Sequence, residues 1–248
     1  MCCLRLKRFA AGLPSLKPAN KPIVCYVTDR KSLTGDRNEA ALTSAILQNI
    51  QAALAAGVDW IQVREKDLQG GQLLEIGRVA VGLAATHRKK TERAPRIIIN
   101  DRLDVALAAG AHGVHLGRES ARAHEVVRWC RAGNAPNGFV IGVSCHSIEE
   151  AREAENAKAD YILFGPVFKT PSKLPFGAPQ GMQTLSEVCR AVPMPVVAIG
   201  GVSEENAAAC IRAGAAGIAA IRMFQEPPGA RAITELVAFI HELRGKEL

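Results

Sequence analysis

Aromatic residues are scarce in this chain: two Trp, two Tyr and seven Phe, 4% of 248 residues. There is also no long Lys/Arg run, and the two shortages together argue against a nucleic-acid surface. Seven cysteines are present (Cys2, Cys3, Cys25, Cys130, Cys145, Cys189 and Cys210), but no Cys-x-x-Cys. An odd number without metal spacing excludes a disulfide framework and reads as reduced thiols of a cytoplasmic protein. Cys145 reads as a small buried hydrophobe. No apolar stretch approaches the length of a membrane span. A Gly-x-Gly-x-x-Gly turn after the first strand is missing, which argues against dinucleotide binding. Residues 1–20 are basic and interrupted by Pro14 and Pro18. Their apolar run is too short for a secretory signal. They are expected to form a disordered or mobile extension, or to reflect a start placed too far upstream, with one folded domain over 21–248.

What is abundant is small and apolar. Hydrophobic residues make up 48% of the chain, with many Ala and 22 Gly. That composition suits helices packed closely on a parallel sheet. The net charge of +7 fits nucleic acid, an anionic membrane or a phosphorylated small molecule, and the first is already disfavoured. Strand-like runs begin at Ile23, Trp60, Arg96, Gly113, Phe139, Tyr161, Pro195 and Gly217. Helical periodicity lies between them: Leu42–Ala55, Gln72–His87, Val105–Ala109, Ala121–Arg131, Ser147–Ala157, Leu185–Ala191, a helix opened by Ser203 and Asn206, and Ala230–Leu243. Ser147 with Glu150 reads as a capping box. Ala56-Gly57-Val58-Asp59, Ala109-Gly110-Ala111-His112-Gly113, Ala159-Asp160 and Ala213-Gly214-Ala215-Ala216-Gly217 echo one another, each joining a helix to a strand. Eight strands alternating with helices predict an α/β fold, a single (β/α)8 TIM barrel, with a doubly wound open sheet as the alternative. The segment Gly165–Gly181 is long enough to be a lid or binding loop.

In such a barrel the site lies at the carboxyl ends of the strands. Gln62-Val63-Arg64-Glu65-Lys66 continues an apolar strand. With a period of two, Gln62, Arg64 and Lys66 share one side. Cations facing inward call for an anion, so this stretch reads either as a phosphate clamp or as a solvated strand end. Asn100-Asp101 could hold a hard cation through oxygen; taken alone, a helix cap is the better reading. Gly200-Gly201 offers backbone N–H groups to a phosphate, or forms a plain turn. His146 could carry a proton; taken alone, a capping or core histidine is the better reading. His115, inside a strand, reads as a structural hydrogen-bonding residue. Lys173 alone reads as a solvated charge.

Six stretches, in order and at matching spacing, resemble thiamine phosphate synthase. They are the Gln62 pentapeptide, Asn100 to Ala106, Gly113 to Gly117, Ile141 to Ser147, Gly165 to Lys173 and Ala198 to Gly201. The superfamily also contains a thiazole tautomerase. The resemblance implies joining of a pyrimidine diphosphate to a thiazole phosphate with release of pyrophosphate. It implies small-molecule partners, with no nucleic acid and no membrane, and leaves a homo-oligomer open. By the same resemblance Gln62, Arg64, Lys66, Asn100, Ser144 and Lys173 hold the pyrimidine diphosphate. Asp101 binds Mg²⁺. Thr170 and Ser172 contact the thiazole phosphate with Gly200, Gly201, Ile221 and Arg222, and His146 lines the site. Two positions depart from the family pattern. The second metal carboxylate falls on Ser120, a weaker ligand, with Arg118 and Glu119 beside it. Arg222 stands where a small hydroxyl residue is usual. A tautomerase using His146, and a non-catalytic barrel that binds thiazole phosphate, are the competing readings.

Overall fold

The computed structural model of the protein describes residues 21–33, 38–87, 94–170, 178–225 and 230–243, the side chains of 230–232 excepted. Eight strands close in sequence order into an all-parallel barrel: β1 (Ile23–Val27), β2 (Trp60–Val63), β3 (Arg96–Asn100), β4 (Gly113–Leu116), β5 (Val140–Cys145), β6 (Tyr161–Phe164), β7 (Val196–Ile199) and β8 (Gly217–Ala220). β8 pairs back onto β1, with Ile23 opposite Gly217. The helices are α1 (Glu39–Ala56), α2 (Gly70–His87), α3 (Leu103–Ala109), α4 (Ala123–Trp129), α5 (Ile148–Asn156), α6 (Gly181–Ala191), α7 (Glu204–Arg212), α8 (Arg222–Gln225) and α9 (Ala230–Glu242). The predicted barrel is therefore present and the open sheet is excluded. Among the described residues no helix is long and apolar enough to cross a membrane.

Strands covered on both faces read as continuous apolar runs rather than alternating ones, and every residue of β2, β3, β4, β6 and β8 is buried. Outward side chains pack under the helices. Inward ones fill the barrel, where Trp60 leans on Tyr161 with ring centroids 4.7 Å apart and Cys25, Ile98, Leu163 and Val197 complete the plug.

Several boundaries differ from the sequence reading. α1 starts a turn earlier than Leu42, because the Asn38 side chain accepts from the Ala40 N–H at 2.9 Å and caps it. α4 stops at Trp129, and the chain leaves through a wide turn in which Gly133 has φ +93°. β5 runs to Cys145 rather than Val143, which brings Ser144 into the ladder opposite Leu163. β2 ends at Val63, so the period-two argument covers Gln62, while Arg64 and Lys66 lie beyond the strand. The four-residue α8 was not foreseen. The extension 1–20 and residues 171–177 of the predicted lid lie outside the described residues.

Candidate active site

Strand register decides which side chains meet at the mouth. Val63 pairs with Ile99, Asn100 with His115 and His115 with Gly142. Because Trp60 and Ile98 face inward, Gln62 and Asn100, two residues on, do too. The Gln62 Nε2 donates to Asn100 Oδ1 at 2.8 Å, and Asn100 Nδ2 donates to Asp101 Oδ2 at 2.9 Å. The direction of this chain is fixed from its end, since a carboxylate only accepts. It leaves Gln62 Oε1 buried without a partner among the described residues, in a residue only 2% exposed.

Asp101 is the pivot. Its φ is +62°, a left-handed conformation costing a non-glycine residue about 1–2 kcal/mol. The predicted helix-capping role is not what the carboxylate does: α3 has Arg102 at its N-cap, with no side-chain cap. Asp101 Oδ1 instead accepts from the Gly117 N–H at 3.3 Å and from the Ser120 hydroxyl. Ser120 Oγ also accepts from Gly117 N at 2.7 Å. Arg118 and Glu119 are exposed.

Ser144, at the end of β5, is 2.9 Å from His115 Nε2, and His115 Nδ1 is 3.2 Å from the Tyr161 hydroxyl. Burial pushes the His115 pKa down to about 3; the nearby Asp101 carboxylate raises it and the Arg64 guanidinium lowers it. Both charges therefore act at this same mouth. The ring is neutral in the native state, whereas an unfolded histidine titrates near 6.5. Between those values the unfolded chain binds a proton that the native protein does not, so stability falls as pH is lowered from 6.5 toward 3. The expected loss is about 2 kcal/mol by pH 5. Urea unfolding at pH 7 and pH 5 should show that drop, and His115→Gln should lack this part of it.

The exit of β2 is sewn to that of β1. Arg64 N–H donates to Thr28 Oγ1 at 2.9 Å, and the Thr28 hydroxyl donates to Glu65 Oε1 at 2.6 Å. The Arg30 N–H donates to Glu65 Oε2 at 3.0 Å. Arg30 itself is 1% exposed. Its Nη2 reaches Glu39 at 2.8 Å and Asp67 at 2.7 Å. Lys66 departs from the strand prediction: it sits exposed in the turn closed by Leu68 N–H to Glu65 O.

On the opposite side of the mouth, Thr170 is buried and its Oγ1 accepts from Arg222 Nη2 at 3.0 Å. Ile221 packs partly buried against the barrel plug. Gly200 and Gly201 have φ of +93° and +68°. A Cβ on Gly200 would lie 2.5 Å from Pro166 Cα, and one on Gly201 2.6 Å from the Lys169 carbonyl oxygen. These glycines are thus required for the segment after β6 to lie against β7, with Phe168 N–H donating to Gly200 O at 2.9 Å. His146 is half-buried. Its Nδ1 donates to the Gly165 carbonyl and its backbone N–H to Glu150 Oε2 at 2.6 Å. The Ser147 side chain caps α5 as predicted, accepting from Glu150 N–H, but the reciprocal bond goes to His146 rather than to Ser147. Cys145 is buried and its thiol is pushed up to about 12 by burial, so it is an inert neighbour. Ser172 and Lys173 lie outside the described residues.

Sequence reading passed over Thr28, Glu65 and Tyr161. A usable signal was Gly142, two residues before Ser144 on the inward face: a Cβ there would sit 2.1 Å from Tyr161 Cζ.

Residues 27–224 match the family described as thiamine monophosphate synthase. The chain is 36% identical over 217 residues to the thiamine-phosphate synthase of Roseiflexus castenholzii, covering 88% of this chain and 87% of that one. It is 38% identical over 221 residues to that of Chlorobium phaeobacteroides, covering 88% and 97%. Among solved structures, thiamine phosphate pyrophosphorylase from Pyrococcus furiosus superposes with a TM-score of 0.73 at 32% identity, over 90% of this chain and 98% of that one. With the family's motifs spread over six of the eight strand ends and the match spanning nearly the whole barrel, the chain belongs to the thiamine monophosphate synthase family.

Proposed function

We propose that this barrel joins 4-amino-5-hydroxymethyl-2-methylpyrimidine diphosphate to a thiazole phosphate, giving thiamine phosphate and pyrophosphate. The observation that carries the reading is the polar floor at the mouth, where Gln62, Asn100 and Asp101 are bonded in series with Arg64 one residue past the Val63–Ile99 pair. Pyrophosphate leaves a benzylic-type carbon, the aminopyrimidine ring spreads the positive charge, and the thiazole nitrogen attacks. No protein nucleophile is needed. The protein neutralises the leaving group and aligns two rings. Arg64, Lys66 and Lys173 carry the charge for the diphosphate, and Ser144 donates to it. The unpartnered Gln62 Oε1 suits the exocyclic amine of the pyrimidine. Thr170 and Arg222 face the thiazole phosphate, with Ser172, Gly200, Gly201 and Ile221.

Mg²⁺ is usually held by one or two carboxylates together with substrate phosphates. Asp101 is one such carboxylate, and Ser120 spends its proton on it. No group of three or more His, Cys, Asp or Glu side chains suited to a metal occurs among the described residues. The donor set therefore fits an ion shared between Asp101 and the diphosphate. There it would supply charge neutralisation to the departing pyrophosphate. Ser120→Asp is expected to tighten Mg²⁺ in the presence of pyrophosphate on the order of tenfold, about 1.4 kcal/mol, by calorimetry. An unchanged affinity would move the metal away from this corner. Cys25, Cys130, Cys145 and Cys210 are free thiols, which suits the reducing, cytoplasmic setting read from the sequence.

The deciding experiment incubates purified protein with both substrates, with and without Mg²⁺, and follows pyrophosphate. Its absence under every metal tried would remove the synthase reading. Turnover of a thiazole carboxylate tautomer, abolished by His146→Ala, would install the tautomerase instead.

A further inference from the structure

Three inward side chains below the mouth, Tyr161 on β6, His115 on β4 and Ser144 on β5, form one hydrogen-bonded line. Each can donate or accept, so heavy-atom positions alone leave the direction open. Burial closes the choice. Tyr161 is 1% exposed, and among the described residues His115 Nδ1 is the hydrogen-bond partner of its hydroxyl. If Nδ1 carried the ring proton, the phenol proton would be buried with no acceptor, which costs a full desolvation penalty. The phenol therefore donates to Nδ1. With its Nδ1 lone pair taken by the phenol, the ring carries its single proton on Nε2. Nε2–H donates to Ser144 Oγ, which leaves the serine proton free.

We propose that Tyr161 and His115 are positioning residues that lock the histidine as its Nε2–H tautomer and so present the Ser144 hydroxyl to the barrel mouth as a hydrogen-bond donor for an anionic phosphate oxygen. In the opposite tautomer Ser144 would spend its proton on the ring and turn lone pairs toward the anion. The fold is shaped for the line. Gly142 lies on the inward face of β5, and a Cβ there would fall 2.5 Å from the Tyr161 hydroxyl oxygen. Gly113 precedes His115 by two residues, and a Cβ there would fall 2.3 Å from the Val140 carbonyl oxygen. Bare backbone at these two positions lets β4, β5 and β6 bring the three polar groups into contact.

The inference rests on the reading that the mouth binds a diphosphate, but its first test does not. Long-range ¹H–¹⁵N spectra of the full-length protein, labelled at histidine, report which ring nitrogen is protonated. The His115 signals are identified by their loss in His115→Gln. The Nε2–H pattern is expected, and an Nδ1–H pattern overturns the proposal whatever the enzyme does. The second test is a double-mutant cycle read by the dissociation constant of inorganic pyrophosphate with Mg²⁺. Tyr161→Phe is expected to weaken pyrophosphate about tenfold, the worth of one hydrogen bond to a charged group, and to have no effect once Ser144 is alanine. Equal losses in both backgrounds would mean that Tyr161 acts through packing and would overturn the relay. Synthesis without the Nε2–H tautomer leaves the function standing and removes the relay. The tautomer without synthesis does the reverse.

Discussion

Arg64→Ala is expected to lower kcat/KM for pyrophosphate release by about two to three orders of magnitude, the scale seen when one preorganised donor to developing charge is removed. In the proposed reaction negative charge grows on the bridging oxygen as the carbon–oxygen bond lengthens. A cation at that point therefore helps the transition state more than the bound substrate, and the loss should fall mainly on kcat. Arg64 is placed for this. It follows the last residue of β2, it is partly buried, and its charge is felt by His115 at the barrel floor. Its backbone is pinned by Thr28, so the side chain leaves the strand in a fixed direction. Arg64→Lys keeps the charge but loses the planar fork that matches two phosphate oxygens, and should fall between wild type and alanine. Steady-state kinetics of the three proteins check this. An alanine variant within about threefold of wild type would take the diphosphate clamp away from β2. The same variant carries an internal control, because removal of the guanidinium should raise the His115 pKa.

The barrel was legible because its cause is local. Buried parallel strands are short apolar runs, and helices are punctuated by caps and glycines such as Gly57, Ser147 and Ser203. Element ends were less legible, since neighbours set them. β5 is prolonged through Ser144 by pairing with β6, and β2 stops at Val63, so Lys66 leaves the row that alternation alone would give it. The site was legible as residue types at strand ends and illegible as bonds. Asn100-Asp101 read alone looks like a helix cap, and only the turn after β4, sixteen to nineteen residues on, supplies the Gly117 N–H and Ser120 hydroxyl that claim the carboxylate. His115 looked structural because its partners come from β5 and β6. Glu65 was passed over because alternation turns it away from the mouth, and nothing in the pentapeptide names Thr28 as its partner.

That residue sets the other large effect. Glu65→Ala is expected to destabilise the protein by about 3–5 kcal/mol, the range for removing one partner of a buried charged cluster. The carboxylate is 4% exposed. Its loss would leave the Thr28 hydroxyl and the Arg30 N–H without their acceptor. It would also remove the carboxylate 3.9 Å from the Arg30 Nε, in a side chain whose Nε and Nη1 have no hydrogen-bond partner among the described residues. Glu65→Gln separates charge from hydrogen bonding. Burial holds the Glu65 carboxyl above the usual carboxylate value despite the lowering by Thr28, the Arg30 N–H and the Arg30 charge. The cost of burying the ion thus exceeds what those partners return. A glutamine keeps an acceptor for Thr28 and sheds that cost, but turns its NH2 toward the Arg30 N–H, so it should lie between wild type and alanine. Urea denaturation of the three proteins at pH 7 is the measurement. If glutamine were as damaging as alanine, the ion rather than the hydrogen-bonding oxygen would be what joins β1 to β2. Because Thr28 also holds the Arg64 N–H, Glu65→Ala should lower pyrophosphate release even below its unfolding temperature, while Glu65→Gln should not. The stability and the activity of the alanine variant would then fail together for one reason: the oxygen that closes the β1–β2 seam also fixes where the arginine points.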